Sequence, residues 1–313
     1  MNKEVLFTLS SGFRENFEVI GYRFGKGEKA ACIVGALRGN EYEHLYCASK
    51  LIDILGRLEE RGAIVANKEI LVIPCAINTS MNVGERNWAR DHEDINRHFP
   101  GNPKGEAVDR VADAIMRAIK GYSYGIQYTG FYLAGEFTPH LRTLSSSIDT
   151  TSLASLFGLP YVVTGQPRSF DTRTMNYHWQ ENGTSAFSLY VSNYDYLNED
   201  VANQAVSATL RFLTRMGIIK YACHNGYISS VLAEEDLVTV KPNVSGFFRR
   251  VCQMTINKEV RRGDILAEIL DPYEGNIIDR IVAPVDGILF FAQTSPIVFE
   301  HSVAFRIIKK LHL

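Results

Sequence analysis

An asparagine and an arginine stand side by side in Asp94-Ile95-Asn96-Arg97-His98-Phe99-Pro100-Gly101. Asp and Asn favour loop geometry and Pro-Gly marks a turn, so the pair is expected on a loop. There the guanidinium can take a carboxylate by two parallel hydrogen bonds while the amide adds a neutral donor. The plainer alternative is that the pair satisfies loop carbonyls. Arg86, in Gly84-Glu85-Arg86-Asn87-Trp88, is either a second cation for the same ligand or a surface arginine. A second chemistry-bearing stretch is Gly35-Ala36-Leu37-Arg38-Gly39-Asn40-Glu41. His44 follows Glu41 by one helical turn, which puts both on one face. His140, in Phe137-Thr138-Pro139-His140-Leu141-Arg142, and His178, with Glu181 close behind it, complete the imidazole inventory of interest. Glu41, His44 and His140 together would have donors suited to zinc, and a hydrogen-bonded or solvated histidine is the ordinary fate of each. His92 and His98 flank the Asn-Arg pair and read as loop residues. The stretch 166–180 is rich in Arg168, Asp171, Arg173, Asn176, Tyr177, His178 and Trp179. With Arg38, Arg97 and Arg142 it would wall a pocket for an anionic or peptide-like ligand, or else form an exposed loop.

These residues need a scaffold. Ala30 to Leu37 and Glu69 to Pro74 are short apolar runs that read as buried strands, and the first runs straight into Arg38-Gly39-Asn40. From Glu41 to Arg61, apolar residues at 45, 48, 51, 52, 55 and 58 recur with helical spacing, and Gly62 is a stop. Glu106 to Lys120 and Asn198 to Met216 read as further amphipathic helices, the second closed by Gly217. Pro160 to Thr164 and Ala186 to Val191 read as strands. Strand and helix in alternation predict a mostly parallel α/β sheet covered by helices. A loop leaving the C-terminal end of such a strand is where open α/β sheets place ligands. After about Lys220 the helical period disappears. Short β-rich runs are punctuated by turn residues such as Arg262-Gly263-Asp264 and Pro284-Val285-Asp286-Gly287, so a small all-β domain is expected over 221–313 and the α/β domain over 1–220.

Composition bounds the function classes. The chain has 313 residues, a formal charge of −2, 46 % hydrophobic and 22 % charged residues. That balance excludes disorder and fibrous repeats and argues against a dedicated nucleic-acid binder. The five cysteines, Cys32, Cys47, Cys75, Cys223 and Cys252, form no Cys-x-x-Cys pair, so reduced thiols are expected. The first residues carry no long apolar core, and no run approaches the roughly 20 apolar residues of a membrane span. A cytoplasmic protein with a small-molecule carboxylate partner, and no nucleic-acid or membrane partner, is the expectation. A monomer and a homo-oligomer are both compatible with it.

The motifs also resemble a known family. Gly35 to Glu41 is similar to the Gly-x-x-His-Gly-x-Glu of the succinylglutamate desuccinylase and aspartoacylase family of the zinc carboxypeptidase clan. Asp94 to Gly101 is similar to that family's Asp-Leu-Asn-Arg-x-Phe-Pro-Gly, with Ile95 in place of Leu. The β-rich C-terminal stretch, and Gly217-Ile218-Ile219 after the last helix, fit as well. Its two similar halves resemble the barrel-sandwich fold of biotinyl and lipoyl carriers, but Asp271 to Arg280 offers no lysine for a swinging arm.

The resemblance implies a zinc-carboxypeptidase-like mixed sheet covered by helices, with a small C-terminal all-β barrel-sandwich-like domain. It also implies cleavage of an N-acyl amino acid by zinc-activated water, a glutamate acting as general base. By the same resemblance Glu41 is a metal-ligand candidate, and His44, three residues on, is the substitute ligand that its spacing offers. Arg38, Arg86 and Tyr190 are the catalytic candidates, and Asn96, Arg97, Gln127, His140 and Arg142 the substrate-binding candidates. The chain departs from the pattern where zinc would be held. Arg38 replaces the first histidine ligand, Gln127 falls where the second belongs, and Tyr190 replaces the general base. A guanidinium has no lone pair to give. A unit positive charge about 4 Å from a dication would cost roughly 8 kcal/mol at an effective dielectric near 20. The replacement predicts an Arg38–Glu41 ion pair standing where the metal would be. A carboxylate-binding protein on a retired hydrolase scaffold is the rival to an altered hydrolase.

Overall fold

The structure is a computed structural model, and it describes residues 1–13, 15–145, 150–191, 197–251 and 255–310. Cys252 lies outside them. Two compact units emerge: one from residues 1–130, 139–191 and 197–231, the other from 131–138 and 232–310. The sequence reading drew one boundary at 220/221; the segment 131–138 instead belongs with the C-terminal strands.

The first unit is built on nine strands: β1 (Asn2–Leu9), β2 (Phe17–Gly25), β3 (Glu28–Ala36), β4 (Lys68–Cys75), β5 (Tyr124–Thr129), β6 (His140–Leu144), β7 (Tyr161–Gly165), β8 (Ser185–Tyr190) and β9 (Ser230–Ala233). Their order is β1-β2-β4-β3-β5-β8-β6-β7-β9. The middle of the sheet, β4-β3-β5-β8, is parallel. Antiparallel pairs join β1 to β2, β2 to β4 and β6 to β8, so the sheet is mixed where the element pattern alone predicted mostly parallel. The seven residues from Ala30 to Ala36 in β3 are all buried, as a parallel strand covered on both faces requires.

Four helices matter for the site: α1 (Tyr42–Glu60), α2 (Ala107–Ile119), α3 (Met175–Glu181) and α4 (Glu199–Arg215). In α1, Cys47, Ala48, Leu51, Leu55 and Leu58 make the buried stripe. The helix sits close on the sheet because Gly35 has no side chain: a Cβ there would lie 2.9 Å from that of Ala48 and 2.4 Å from the Pro74 carbonyl oxygen. In α2, Val108, Val111, Ala112, Ile115 and Ile119 do the same work. Asn198 caps α4, accepting from the Asp200 and Val201 amides. No helix among the described residues is long and apolar enough to cross a membrane.

The C-terminal unit holds two antiparallel sheets. One orders Leu237–Val240, Phe305–Lys309, Gly287–Gln293 and Glu259–Val260, with Gly135–Phe137 added against Gly287–Gln293. The other orders Ile277–Val282, Ile265–Leu270, Gly246–Arg250 and Ile297–Val298. Leu266, Ile269, Leu289, Phe305 and Ile307 are the core of this unit. The architecture is therefore a mixed α/β sheet with helices plus an all-β unit.

Candidate functional site

The parallel strands β3, β4, β5 and β8 all finish at one edge of the sheet, and the chemistry gathers there. Chain leaving β3 turns at once through Arg38-Gly39. Gly39 is required by contact: a Cβ would meet the Glu85 carbonyl oxygen at 2.3 Å, and the Gly39 amide donates to the Arg86 carbonyl. The loop carrying Arg86 is thereby laid against the one carrying Arg38.

Arg38 is 4 % exposed and is the hub. Its Nε and Nη2 donate to the two Asp94 carboxylate oxygens at 2.9 and 3.0 Å, and Nη1 donates to Glu41 Oε1 at 3.1 Å. Glu41 Oε2 accepts from the Leu37 and Arg38 amides at 2.9 and 3.0 Å. His44 is fully buried, with Nδ1 3.3 Å from Glu41 Oε2 and Nε2 3.4 Å from the Val191 carbonyl oxygen. Burial alone would push the Glu41 carboxyl up, yet His44, Arg38 and Arg86 outweigh it and hold the group at about 2. Burial also opposes ionisation of Asp94, and Arg38, the Asn96 amide and Arg86 carry it below the usual carboxylate range. Burial disfavours the Arg38 charge, but Glu41 and Asp94 hold its proton more tightly than usual.

Beside this network the Asn-Arg pair lies on a 3-10 turn, Ile95–Arg97, capped by the Asp94 side chain. Asn96 is buried, its Oδ1 accepting from the Met175 amide at 3.1 Å. Arg97 Nη1 donates to the Phe170 carbonyl at 2.8 Å, and the guanidinium lies over the Phe170 ring. From the stretch 166–180, Phe170 and Met175 thus contact the Asn96–Arg97 turn, while Arg142 lies against Tyr190. Arg86 is half-buried and has no hydrogen bond or ion pair to a described side chain. Burial and the like charge of Arg38 pull its pKa below the ordinary value, against the attraction of Glu41 and Asp94.

Gln127 is 2 % exposed on β5, level with Val34 of β3 and Ser188 of β8. Its carboxamide has no hydrogen bond to a described residue. Tyr190 ends β8. The ring of His140 stacks on it with centroids 5.0 Å apart, and the Arg142 guanidinium lies 5.1 Å from its centroid. His140, Arg142 and Tyr190 therefore make a second cluster, formed by the β6–β8 pairing.

The set Glu41, His44 and His140 is not assembled. Glu41 and His44 meet, but His140 is engaged with Tyr190 on another pair of strands. Among the described residues, no three of His, Cys, Asp and Glu gather where a metal ion could be held. The oxygens of Glu41 are already engaged by Arg38 and two amides, so the donor set does not fit zinc. Sequence reasoning found the Arg38–Glu41 pair and missed Asp94 as its third member; the repeated approach of acidic residues to arginines in both motifs was the available signal.

No protein-family model matches the chain. One curated protein, the N-alpha-acetyl-L-2,4-diaminobutyric acid deacetylase of Halomonas elongata, is 27 % identical over 89 residues. That match covers 28 % of this chain and spans only about a quarter (24 %) of the relative. The likeness to solved structures is much longer. An aspartoacylase family protein from Mesorhizobium loti aligns with a TM-score of 0.78 and 19 % identity, over 96 % of this chain and 91 % of that one. A succinylglutamate desuccinylase from Silicibacter sp. aligns with 0.82 and 16 % identity, over 97 % and 92 %. The product-bound ectoine utilization protein of Ruegeria pomeroyi aligns with 0.79 and 16 %, over 93 % and 89 %. Over almost its whole length the chain thus has the fold of the succinylglutamate desuccinylase and aspartoacylase proteins.

Proposed function

We propose that this protein is of the acyl-amino-acid amidohydrolase type, that its ligand is an N-acyl amino acid or a similar small amide bearing a carboxylate, and that it handles this ligand without a hydrolytic zinc. The names of the relatives support the ligand class: aspartoacylase, succinylglutamate desuccinylase and N-acetyl-diaminobutyrate deacetylase all describe removal of an acyl group from an amino acid. The observation that carries the proposal is Arg38, buried and ion-paired to Glu41 and Asp94 together.

In this reading Arg97 and Asn96 take the ligand carboxylate, the guanidinium through its remaining N–H groups and the amide through its unengaged NH2. Arg86 faces the amide carbonyl and draws charge onto its oxygen. Gln127 orients the amide by one donor and one acceptor. Tyr190, backed by His140 and Arg142, presents a hydroxyl at the end of β8. Arg38 does none of this directly: its charge is consumed by two carboxylates, and it keeps them ionised and fixed.

A second reading, binding without hydrolysis, is favoured by the same Arg38 network. The experiment that separates these readings has three parts. Zinc per chain is measured on protein purified without chelator or added metal, with Glu41→Ala beside it. Hydrolysis is followed across a panel of N-acetyl and N-succinyl amino acids. Binding of the same panel is followed by thermal shift. Turnover without stoichiometric zinc supports the amidohydrolase, and binding without turnover supports the second reading. One zinc per chain that is lost in Glu41→Ala would overturn the metal-free proposal, and neither binding nor turnover would overturn the ligand class.

A further inference from the structure

Gln127 stands on β5, in the middle of the sheet, 2 % exposed and with no hydrogen bond from its carboxamide to a described residue. What remains exposed is the polar tip: Oε1 and Nε2 are not among the unbonded side-chain atoms sealed from solvent, whereas Oδ1 of Asn176 is. Register puts Val34 of β3 on one side of Gln127 and Ser188 of β8 on the other, with Arg142 of β6 one strand further. Side chains level with one another on adjacent strands share a face of the sheet. Ser188 accepts from Asn176 Nδ2, and Arg142 lies over the Tyr190 ring. This row contains no carboxylate, so a ligand ammonium would find no counter-ion there and would meet the Arg142 charge instead. The row adjoins the carboxylate grip through α3: the Met175 amide donates to Asn96, and the next side chain, Asn176, reaches Ser188.

A free carboxamide offers a donor and an acceptor side by side on one edge. A secondary amide in its ordinary trans form has its C=O and N–H on opposite edges, so it meets only one of the two at a time. Turning it cis would bring both to one edge, at a population cost of roughly a hundredfold. A carbamoyl group has both on one edge without that cost, because its terminal NH2 always carries one N–H beside the C=O. We propose that Gln127 selects an N-carbamoyl amino acid, its Nε2 donating to the ureido oxygen and its Oε1 accepting from the ureido NH2, while Asn96 and Arg97 take the carboxylate. The proposal rests on the N-acyl amino acid reading and narrows its acyl group. An acetyl ligand turns a methyl group toward Oε1, and an acceptor buried without a donor is the costly half of a lost hydrogen bond.

The test compares N-carbamoyl-L-aspartate with N-acetyl-L-aspartate by calorimetry, on protein purified without added metal. The two compounds differ by NH2 against CH3 at nearly equal size. The wild type is expected to bind the carbamoyl compound about tenfold to a hundredfold more tightly. Gln127→Met keeps the volume and removes both hydrogen-bonding atoms, so it is expected to bring the two affinities within about twofold of each other. Arg97→Met is expected to weaken both compounds alike and leave their ratio unchanged, which separates gripping from selection. N-(methylcarbamoyl)-L-aspartate has a methyl group where the edge N–H was, and it is expected to bind no more tightly than the acetyl compound. Equal wild-type affinities, or a preference that survives in Gln127→Met, would overturn the proposal and leave the wider ligand class standing. The wild-type ratio needs no variant, so the test survives a Gln127→Met chain that does not fold. If none of the three compounds binds the wild type, the N-acyl amino acid class fails and the selection falls with it.

Discussion

Replacing Arg38 with methionine removes the cation from between two buried carboxylates and keeps much of its volume. Glu41 is then left with His44, Arg86 and two backbone amides, and Asp94 with Arg86 and the Asn96 amide. Breaking a buried pair by removing one partner costs about 3–5 kcal/mol, because the remaining charge is neither solvated nor paired. The pH dependence gives an independent measure. A Glu41 carboxyl held at about 2 instead of the ordinary 4.5 has its ionised form favoured by about 3 kcal/mol in the folded state. Since the folded-state value is depressed, this stability is present above pH 4.5 and is lost as pH falls toward 2. In Arg38→Met the carboxyl moves up, so the damage is expected to be largest near neutral pH and to shrink below about pH 4. Urea unfolding at pH 7, 5 and 3.5 reads both features. Arg38→Lys keeps the charge but cannot make the forked contact with Asp94 while reaching Glu41, so an intermediate loss is expected. A loss below about 1 kcal/mol at pH 7, or one independent of pH, would refute the claim that Arg38 stabilises the carboxylates electrostatically.

Three shorter predictions test other links. Arg97→Met is expected to weaken binding of N-acyl amino acids by about ten- to a hundredfold in calorimetry while leaving the melting temperature nearly unchanged, because among the described residues the Arg97 guanidinium hydrogen-bonds only the Phe170 carbonyl. Gly125→Ala would place a Cβ 2.7 Å from the Trp179 indole in the core, so a loss of about 1–3 kcal/mol in urea unfolding is expected from overpacking. Asn198→Ala removes the acceptor for the Asp200 and Val201 amides at the start of α4 and is expected to cost about 1 kcal/mol, measured the same way.

The parts of this fold legible in the sequence are those written in local periodicity. The stripes of α1, α2 and α4 and the apolar runs of β3 and β4 are complete within a few turns or residues, and the structure has them within a residue or two. The strand β6 was not legible, since His140-Leu141-Arg142-Thr143-Leu144 carries three polar positions against two apolar ones and becomes a strand only because β8 and β7 flank it. Nor does any local pattern say that Gly135–Phe137 belongs to the C-terminal unit. Its pairing to Phe291-Ala292-Gln293 is a contact across more than 150 residues, and the Phe137 and Phe291 rings that pack there are ordinary core aromatics in isolation.

The same division runs through the site. Arg38 and Glu41 are three residues apart on the tight turn before α1, where the Glu41 amide donates to the Arg38 carbonyl, so their ion pair is a local one. Asp94 is 56 positions away, and it takes two of the Arg38 hydrogen bonds because Gly39 lets the two loops touch. His98 reads as a loop residue for the same reason: its partners are Asp109 and Glu93, and α2 must be docked before those two carboxylates face one imidazole. The contacts that neutralise Arg38 are thus supplied partly by the tertiary structure. The arginine that cannot ligate a metal has two carboxylates to neutralise it, and the glutamate that could ligate one has its oxygens spent. Glu41 would carry an unpaired buried charge without a cation beside it; here the guanidinium of Arg38 pairs it.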